Sequence, residues 1–148
     1  MERALAVVDA DESTKALVRE AGELAAAVGA ELVLLHVTSQ DEYEEMRKTM
    51  ESIPNSPVGY SARKARDGAE DFAADIGREV LEGIGVSYEA VGAVGDEQRQ
   101  ILETAEEYDC DHLFIAGEKR SPTGKALFGD LTQSIILNFA GPVTVVTE

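Results

Sequence analysis

Two stretches of the sequence bring together residues whose types and spacing could do chemistry. Asp9-Ala10-Asp11-Glu12-Ser13 directly follows an apolar run, Ala4 to Val8. Two carboxylates that close at a strand end could hold a divalent cation such as Mg²⁺, but in so acidic a chain they read first as ordinary caps of the helix that follows. The second stretch, Gly117 to Gly129, reads GEKRSPTGKALFG. Its glycines permit close backbone approach. Lys119, Arg120 and Lys125 could neutralise phosphate, and Gly129 stands just before a helix whose first N–H groups attract anions. Spacing alone leaves a phosphate cradle and an ordinary Gly/Pro-rich connector both open. The segment is not a Walker A loop, because Gly124-Lys125 is followed by Ala126 instead of Ser or Thr.

Other reactive residues offer less. Asp109-Cys110-Asp111-His112 has ligand-type residues but no second His/Cys pair, and it precedes a strand instead of following one, so it reads as a turn. His36 alternates with Leu32 and Leu34 and reads as a packed histidine. Ser13, Ser121 and Ser134 have no histidine placed beside them as a general base, which leaves serine-type hydrolysis without support.

These stretches need a scaffold, and the apolar pattern supplies one. Ala4–Val8 predicts a strand ending at Asp9. Thr14–Val28 predicts a helix, capped by Ser13 or Thr14, whose apolar face is Leu17, Ala21, Leu24, Ala25 and Val28, with Gly29 ending it. Glu31–Val37 is apolar on both alternating faces, as in a strand buried within a parallel sheet. Asp41–Glu51 has the composition of a polar helix, and Ser52–Ser61, with two prolines and a glycine, reads as a loop. Helical spacing returns at Ala69, Phe72, Ala73, Ile76 and Val80. A strand is predicted over Val86–Val91, and a helix after Gly95-Asp96 turns Ile101, Leu102 and Ala105 inward. His112–Ala116 predicts a strand, Ile135, Ile136 and Phe139 the inner face of a last helix, and Val143–Val146 a final strand after Gly141-Pro142. Strands alternating with helices predict an open, doubly wound parallel α/β sheet, expected as a single domain over residues 1–148. In such sheets ligands bind beyond the carboxyl ends of the strands, which favours the loops carrying Asp9, Thr38-Ser39 and Gly117.

Composition narrows the partners. The chain has 148 residues, 29 Asp+Glu against 13 Lys+Arg, and a formal net charge of −16. Nucleic acid, which is bound by basic stripes, is not an expected partner. No run of about 20 apolar residues predicts a membrane span, and Met1-Glu2-Arg3 leads straight into a strand, so the expected location is cytoplasmic. One cysteine, Cys110, agrees with a reducing compartment. Acidic residues dispersed over every segment, with five lysines in all, suggest a surface adapted to high salt.

Several features together resemble the universal stress protein family over nearly the whole chain. They are Val8-Asp9 with a Ser-containing helix start, Leu34-Leu35-His36-Val37, Gly95-Asp96 before Ile101-Leu102, Asp109 through Gly117, and Gly141-Pro142-Val143-Thr144-Val145-Val146. The resemblance implies an adenine nucleotide alpha hydrolase-like fold, a five-stranded parallel sheet in order 3-2-1-4-5, with ATP or a related adenine nucleotide between the first and fourth strands. It implies that Asp9 meets the ribose or a metal such as Mg²⁺ and that the Val37 backbone meets adenine. Ala116 and Gly117 would open the phosphate loop, Lys119, Arg120 and Gly124 would lie along it, and Gly129, Asp130, Leu131 and Thr132 would close over the terminal phosphates. The family motif is Gly-x2-Gly-x9-Gly-(Ser/Thr). Here its second glycine falls at Arg120 or is displaced to Gly124, the span is one residue short, and Asp130 takes the place of Ser/Thr. The resemblance also implies a homodimer through the last strand, with Val143, Val145 and Val146 at its interface. Three readings follow: a dimeric nucleotide-binding module in stress response with slow ATP hydrolysis at most, a dimeric scaffold that binds no nucleotide, and a Mg²⁺-dependent nucleotide hydrolase using Asp9 and Asp11.

Overall fold

Apolar side chains on both faces put the first two strands at the centre of the sheet. In the computed structural model, which describes residues 1–52, 61–117 and 129–147, β1 (Arg3–Val7) and β2 (Glu31–Thr38) bury most of their residues. β3 (Tyr88–Val94), β4 (His112–Ala116) and β5 (Val143–Val146) complete an all-parallel sheet in the order β3-β2-β1-β4-β5. Alternation along each strand divides the core into two layers. Ala4, Ala6, Val8, Leu32, Leu34 and Phe114 face one side, where they meet Leu17, Val18 and Ala21 of α1 (Ser13–Val28) and Ala73, Ile76 and Val80 of α3 (Ala62–Leu81). Leu5, Val33, Leu35, Val37, Leu113 and Ile115 face the other. There they meet Ile101 and Ala105 of α4 (Glu97–Glu107) and Ile135 of α5 (Asp130–Asn138). The polar α2 (Gln40–Glu51) buries no residue.

The expected sheet, its order and its helical layers are therefore present, and pairing moves some boundaries. The third strand is Tyr88–Val94 instead of Val86–Val91, because its register is fixed by β2, with Leu32 opposite Tyr88 and Thr38 opposite Val94. The inner face of α1 is Leu17, Val18, Ala21, Gly22 and Ala25, whereas Leu24 and Val28 are 40% and 54% exposed. Gly22 is turned toward the Leu81 and Val86 side chains. The helix thus rests on its smallest residues, which a search for apolar spacing passes over. Likewise α5 buries Thr132 and Ile135 and leaves Ile136 42% exposed, while Phe139, which ends the helix, packs against the same layer as Ile135. Gly29 closes α1 at φ 71°, a left-handed conformation that glycine adopts without steric cost.

Candidate functional site

The strand order reverses direction between β1 and β4, neighbours paired through Ala4–His112, Leu5–Leu113 and Ala6–Phe114. From β1 the chain passes to α1 on one face, and α5 after β4 lies on the other. A crevice must open where the two connections part, at the carboxyl ends of the strands.

Asp9 stands at the β1 rim of that crevice. Its backbone N–H donates to Thr14 Oγ1 at 2.9 Å, which ties the strand end to the first turn of α1. The Asp11 carboxylate accepts the Ser13 N–H at 3.0 Å and the Ser13 hydroxyl as well, closing the turn that leads into α1. The N-cap position itself is Glu12, without a side-chain cap, because Ser13 and Thr14, the expected caps, already lie inside the helix. At the end of β2, His36 Nδ1 lies 2.6 Å from the Val8 carbonyl oxygen. A carbonyl only accepts, so Nδ1 carries a proton and Nε2 is the basic nitrogen of the neutral ring. The ring packs on Phe72 at 4.5 Å between centroids. His36 is thus the packed histidine that its alternation with Leu32 and Leu34 suggested. Of the groups that act on Asp9, His36 is the one that favours its carboxylate.

On the β4 side, Gly117 N–H donates to Val146 O at 2.9 Å. The Thr132 hydroxyl, buried, donates to Ala116 O at 3.2 Å and pins the first turn of α5 to the end of β4. That hydroxyl is thereby engaged. Gly129 precedes α5 in extended backbone with no side-chain cap, unlike α2 and α4, whose first turns are capped by Ser39 Oγ and the Asp96 carboxylate. Asp130 is exposed in the first turn of α5. Val37 is buried on the α4/α5 side. Lys119, Arg120 and Gly124 lie outside the described residues.

A cleft of about 780 Å³ runs from Ser39 and Asp41 past Gly95–Arg99 to Asp130, Leu131 and Ser134. Among the described residues that line it are four carboxylates, Asp41, Asp96, Glu97 and Asp130, and one cation, Arg99. Glu97 connects this cleft to Asp9. Burial raises the pKa of each, and each is raised further by neighbouring carboxylates: Asp11 and Glu42 act on Asp9, and Asp9, Glu42 and Asp96 act on Glu97, while His36 opposes the shift in both. Glu97, Glu42 and Asp96 were not among the residues expected at the site. The signal was available in Gly95-Asp96, which follows a strand like the other candidate loops.

The opposite end of the sheet holds Asp109–His112. The Asp111 carboxylate accepts the Glu2 N–H at 2.9 Å, and His112 Nε2 lies 2.8 Å from Thr144 Oγ1 while its ring stacks on Phe114. Burial pushes the Cys110 thiol up to about 11, so it is protonated at neutral pH. Both side chains serve the fold at this end. Among the described residues no cluster of three metal-ligating side chains occurs, and no helix is long and apolar enough to cross a membrane.

A pH prediction follows from Asp9. Its folded-state pKa lies above the ordinary value of 3.8, so the folded chain favours the neutral acid. The associated stability is complete below the ordinary value and is lost as pH rises through the raised one. Asp9→Asn, a neutral isostere, is expected to raise Tm at pH 7 by about 2–4 °C, the change that about 1 kcal/mol makes in a domain of this size. The difference should vanish near pH 3 (about one unit below the ordinary value). Equal Tm differences at both pH values would show that Asp9 carries no such strain.

Comparison with known proteins gives a consistent match. The sequence model described as the universal stress protein family matches residues 1–147. None of the curated proteins compared matches the chain. Among solved structures, the hypothetical protein MJ0577 superposes with a TM-score of 0.71 at 20% identity, covering 99% of this chain and 96% of its own. A universal stress protein in complex with cAMP gives 0.63 at 18% identity, with 99% and 96% covered. The Archaeoglobus fulgidus universal stress protein in complex with dAMP gives 0.60 at 18%, with 98% and 96% covered.

Proposed function

Because the chain belongs to the universal stress protein family, we propose that it is a cytoplasmic, single-domain adenine-nucleotide-binding module of the stress response, with the ligand in the crevice between the loops after β1 and β4. The observation that carries this reading is the uncapped start of α5 pinned by Thr132 to the end of β4, across the switch point from Asp9. Free N–H groups on one rim suit a phosphate, and a carboxylate on the other suits a ribose hydroxyl or a Mg²⁺ ion carried by the nucleotide. Two solved relatives of the same fold carry cAMP and dAMP, which supports an adenine ligand with one phosphate. The acidic lining of the adjoining cleft favours low ligand charge, so AMP or cAMP should bind more tightly than ATP. Equilibrium titration with AMP, cAMP, ADP and ATP in molar salt, with and without Mg²⁺, tests this; absence of binding by all four removes it. Asp9→Asn should weaken AMP binding about tenfold or more, as expected when a charged hydrogen-bond partner is lost.

The same reading includes a homodimer through β5, whose outer side pairs with no strand among the described residues. Val143 and Val145 are half-buried against the α4/α5 layer and Val146 against the α1/α3 layer, which leaves part of each of these three interface residues exposed. Residues 131–147 contain no charged side chain in a chain of net charge −16. Two such chains meet at least electrostatic cost along this segment. Light scattering after size exclusion at micromolar concentration should give about twice the 15.9 kDa chain mass, and a clean monomer would exclude the dimer.

A further inference from the structure

The sheet has a second edge, and it differs from the first. β3 pairs with β2 on one side, and among the described residues no strand pairs with it on the other. The register shows which of its backbone groups face outward. Leu32 N–H donates to Ser87 O and Gly95 N–H donates to Thr38 O. Successive strand residues alternate in direction, so residues 87, 89, 91, 93 and 95 bond β2, while Gly92 and Val94 direct N–H and C=O away from it.

Gly92 and Val94, with Val91 and Ala93, line a groove of about 620 Å³. Tyr43 of α2 and Arg66 of α3 stand on one side, and Glu107 and Tyr108 near the end of α4 on the other. Four strand residues span about 13 Å at about 3.3 Å each, the reach of a short extended peptide. From Ala90 to Gly95 the edge carries no charge, proline or lysine. These are devices by which edge strands otherwise avoid pairing. Charge enters beside Tyr108: Glu89, Glu107 and Glu70 all raise its phenol pKa, after burial, and so gather near this end of the groove.

We propose that the outer edge of β3 is a docking surface for an extended peptide of a partner protein, added to the sheet as a further strand, with an uncharged alternating centre and a basic residue at the end beside Tyr108. The outward donors and acceptors of Gly92 and Val94 set the backbone register. Tyr43 and Tyr108 pack against its side chains, and the carboxylates at 70, 89 and 107 select the basic end. A second copy of this chain fits less well, because it brings its own charge of −16, and its charge-free segment lies at the opposite edge of the sheet.

The test uses the isotope-labelled full-length chain without nucleotide and an acetylated, amidated pentapeptide of lysine, valine, threonine, valine and lysine. Saturable shifts of the Gly92 and Val94 amides are expected. N-methylation of the central peptide bond should weaken binding about tenfold, as should replacing both lysines by glutamate. Val94→Pro deletes the outward N–H while leaving the β2-facing groups of Ala93 and Gly95 in place, a substitution edge strands tolerate; it should also cost about tenfold with Tm little changed. Should that variant not fold, the N-methylated peptide against the native chain makes the same measurement. No saturable shift at these amides up to about 1 mM peptide, binding indifferent to N-methylation, or shifts that follow protein concentration alone would overturn the proposal.

Discussion

Replacing Asp130 by Ser is expected to raise the affinity for ATP by about 10- to 100-fold while changing that for AMP far less. Asp130 is the first residue of α5, beside the N–H groups that lack a side-chain cap. Its carboxylate competes with ligand phosphate for the same positive helix end. A unit charge pair 4 Å apart is worth about 1 kcal/mol in water and more in a crevice of lower effective dielectric. Across the three to four charges of a triphosphate the repulsion sums to roughly 1.5–3 kcal/mol after screening, and a monophosphate escapes most of it. Mg²⁺ should narrow the gain by neutralising the phosphates, so the largest effect is expected in its absence. Loss of the favourable carboxylate–dipole interaction should destabilise the fold by only about 0.3–1 kcal/mol. Isothermal titration with the two nucleotides decides the matter: equal gains for ATP and AMP, or no gain for either, would place Asp130 away from the phosphates.

Gly92→Ala is expected to be the most damaging small substitution in the sheet, at about 2–4 kcal/mol, a fall in Tm of roughly 4–16 °C. A Cβ at this position would lie far inside 3.0 Å of the Arg66 carbonyl oxygen and the Glu70 nitrogen, and 3.0 Å from Ala69 C. These are backbone atoms of α3, which cannot turn aside as a side chain can, so the whole helix must lift from β3. Gly77→Ala is the informative comparison. Its Cβ would meet Tyr88 Cε2 at 2.5 Å and Leu34 Cδ1 at 3.0 Å, and the Tyr88 ring, 36% exposed, has room to swing. In a helix, moreover, alanine is favoured over glycine by about 1 kcal/mol. Urea unfolding should therefore show a large loss for Gly92→Ala and less than about 1.5 kcal/mol for Gly77→Ala. Comparable losses would mean that helix–sheet contact at Gly92 is loose.

The two glycines illustrate how far the sequence could be read. Within the sequence both are single glycines in otherwise regular patterns, and nothing local distinguishes Gly92, which touches a helix backbone some two dozen residues earlier, from Gly77, which touches movable side chains. The same distinction runs through the site. Asp9 was legible because it ends an apolar strand, and Gly117 because it ends another. His36 was legible as a packed residue, yet its influence on Asp9 and Glu97 depends on β1 and β2 ending side by side. Glu97 and Glu42 carried no signal of their own in a chain with 29 acidic residues.

What the amino-acid sequence by itself determined was the succession of elements. Apolar alternation, helical spacing and the glycine and proline breaks are local properties, and they placed five strands and their helices with small errors. The family resemblance then supplied the strand order. Only the tertiary structure decided the limits of β3, the small-residue face on which α1 rests, and the charge of the cleft beside the switch point. Each of these arises from register and close approach between segments distant in the chain, where pairing with a neighbour outweighs the preference of any residue taken alone.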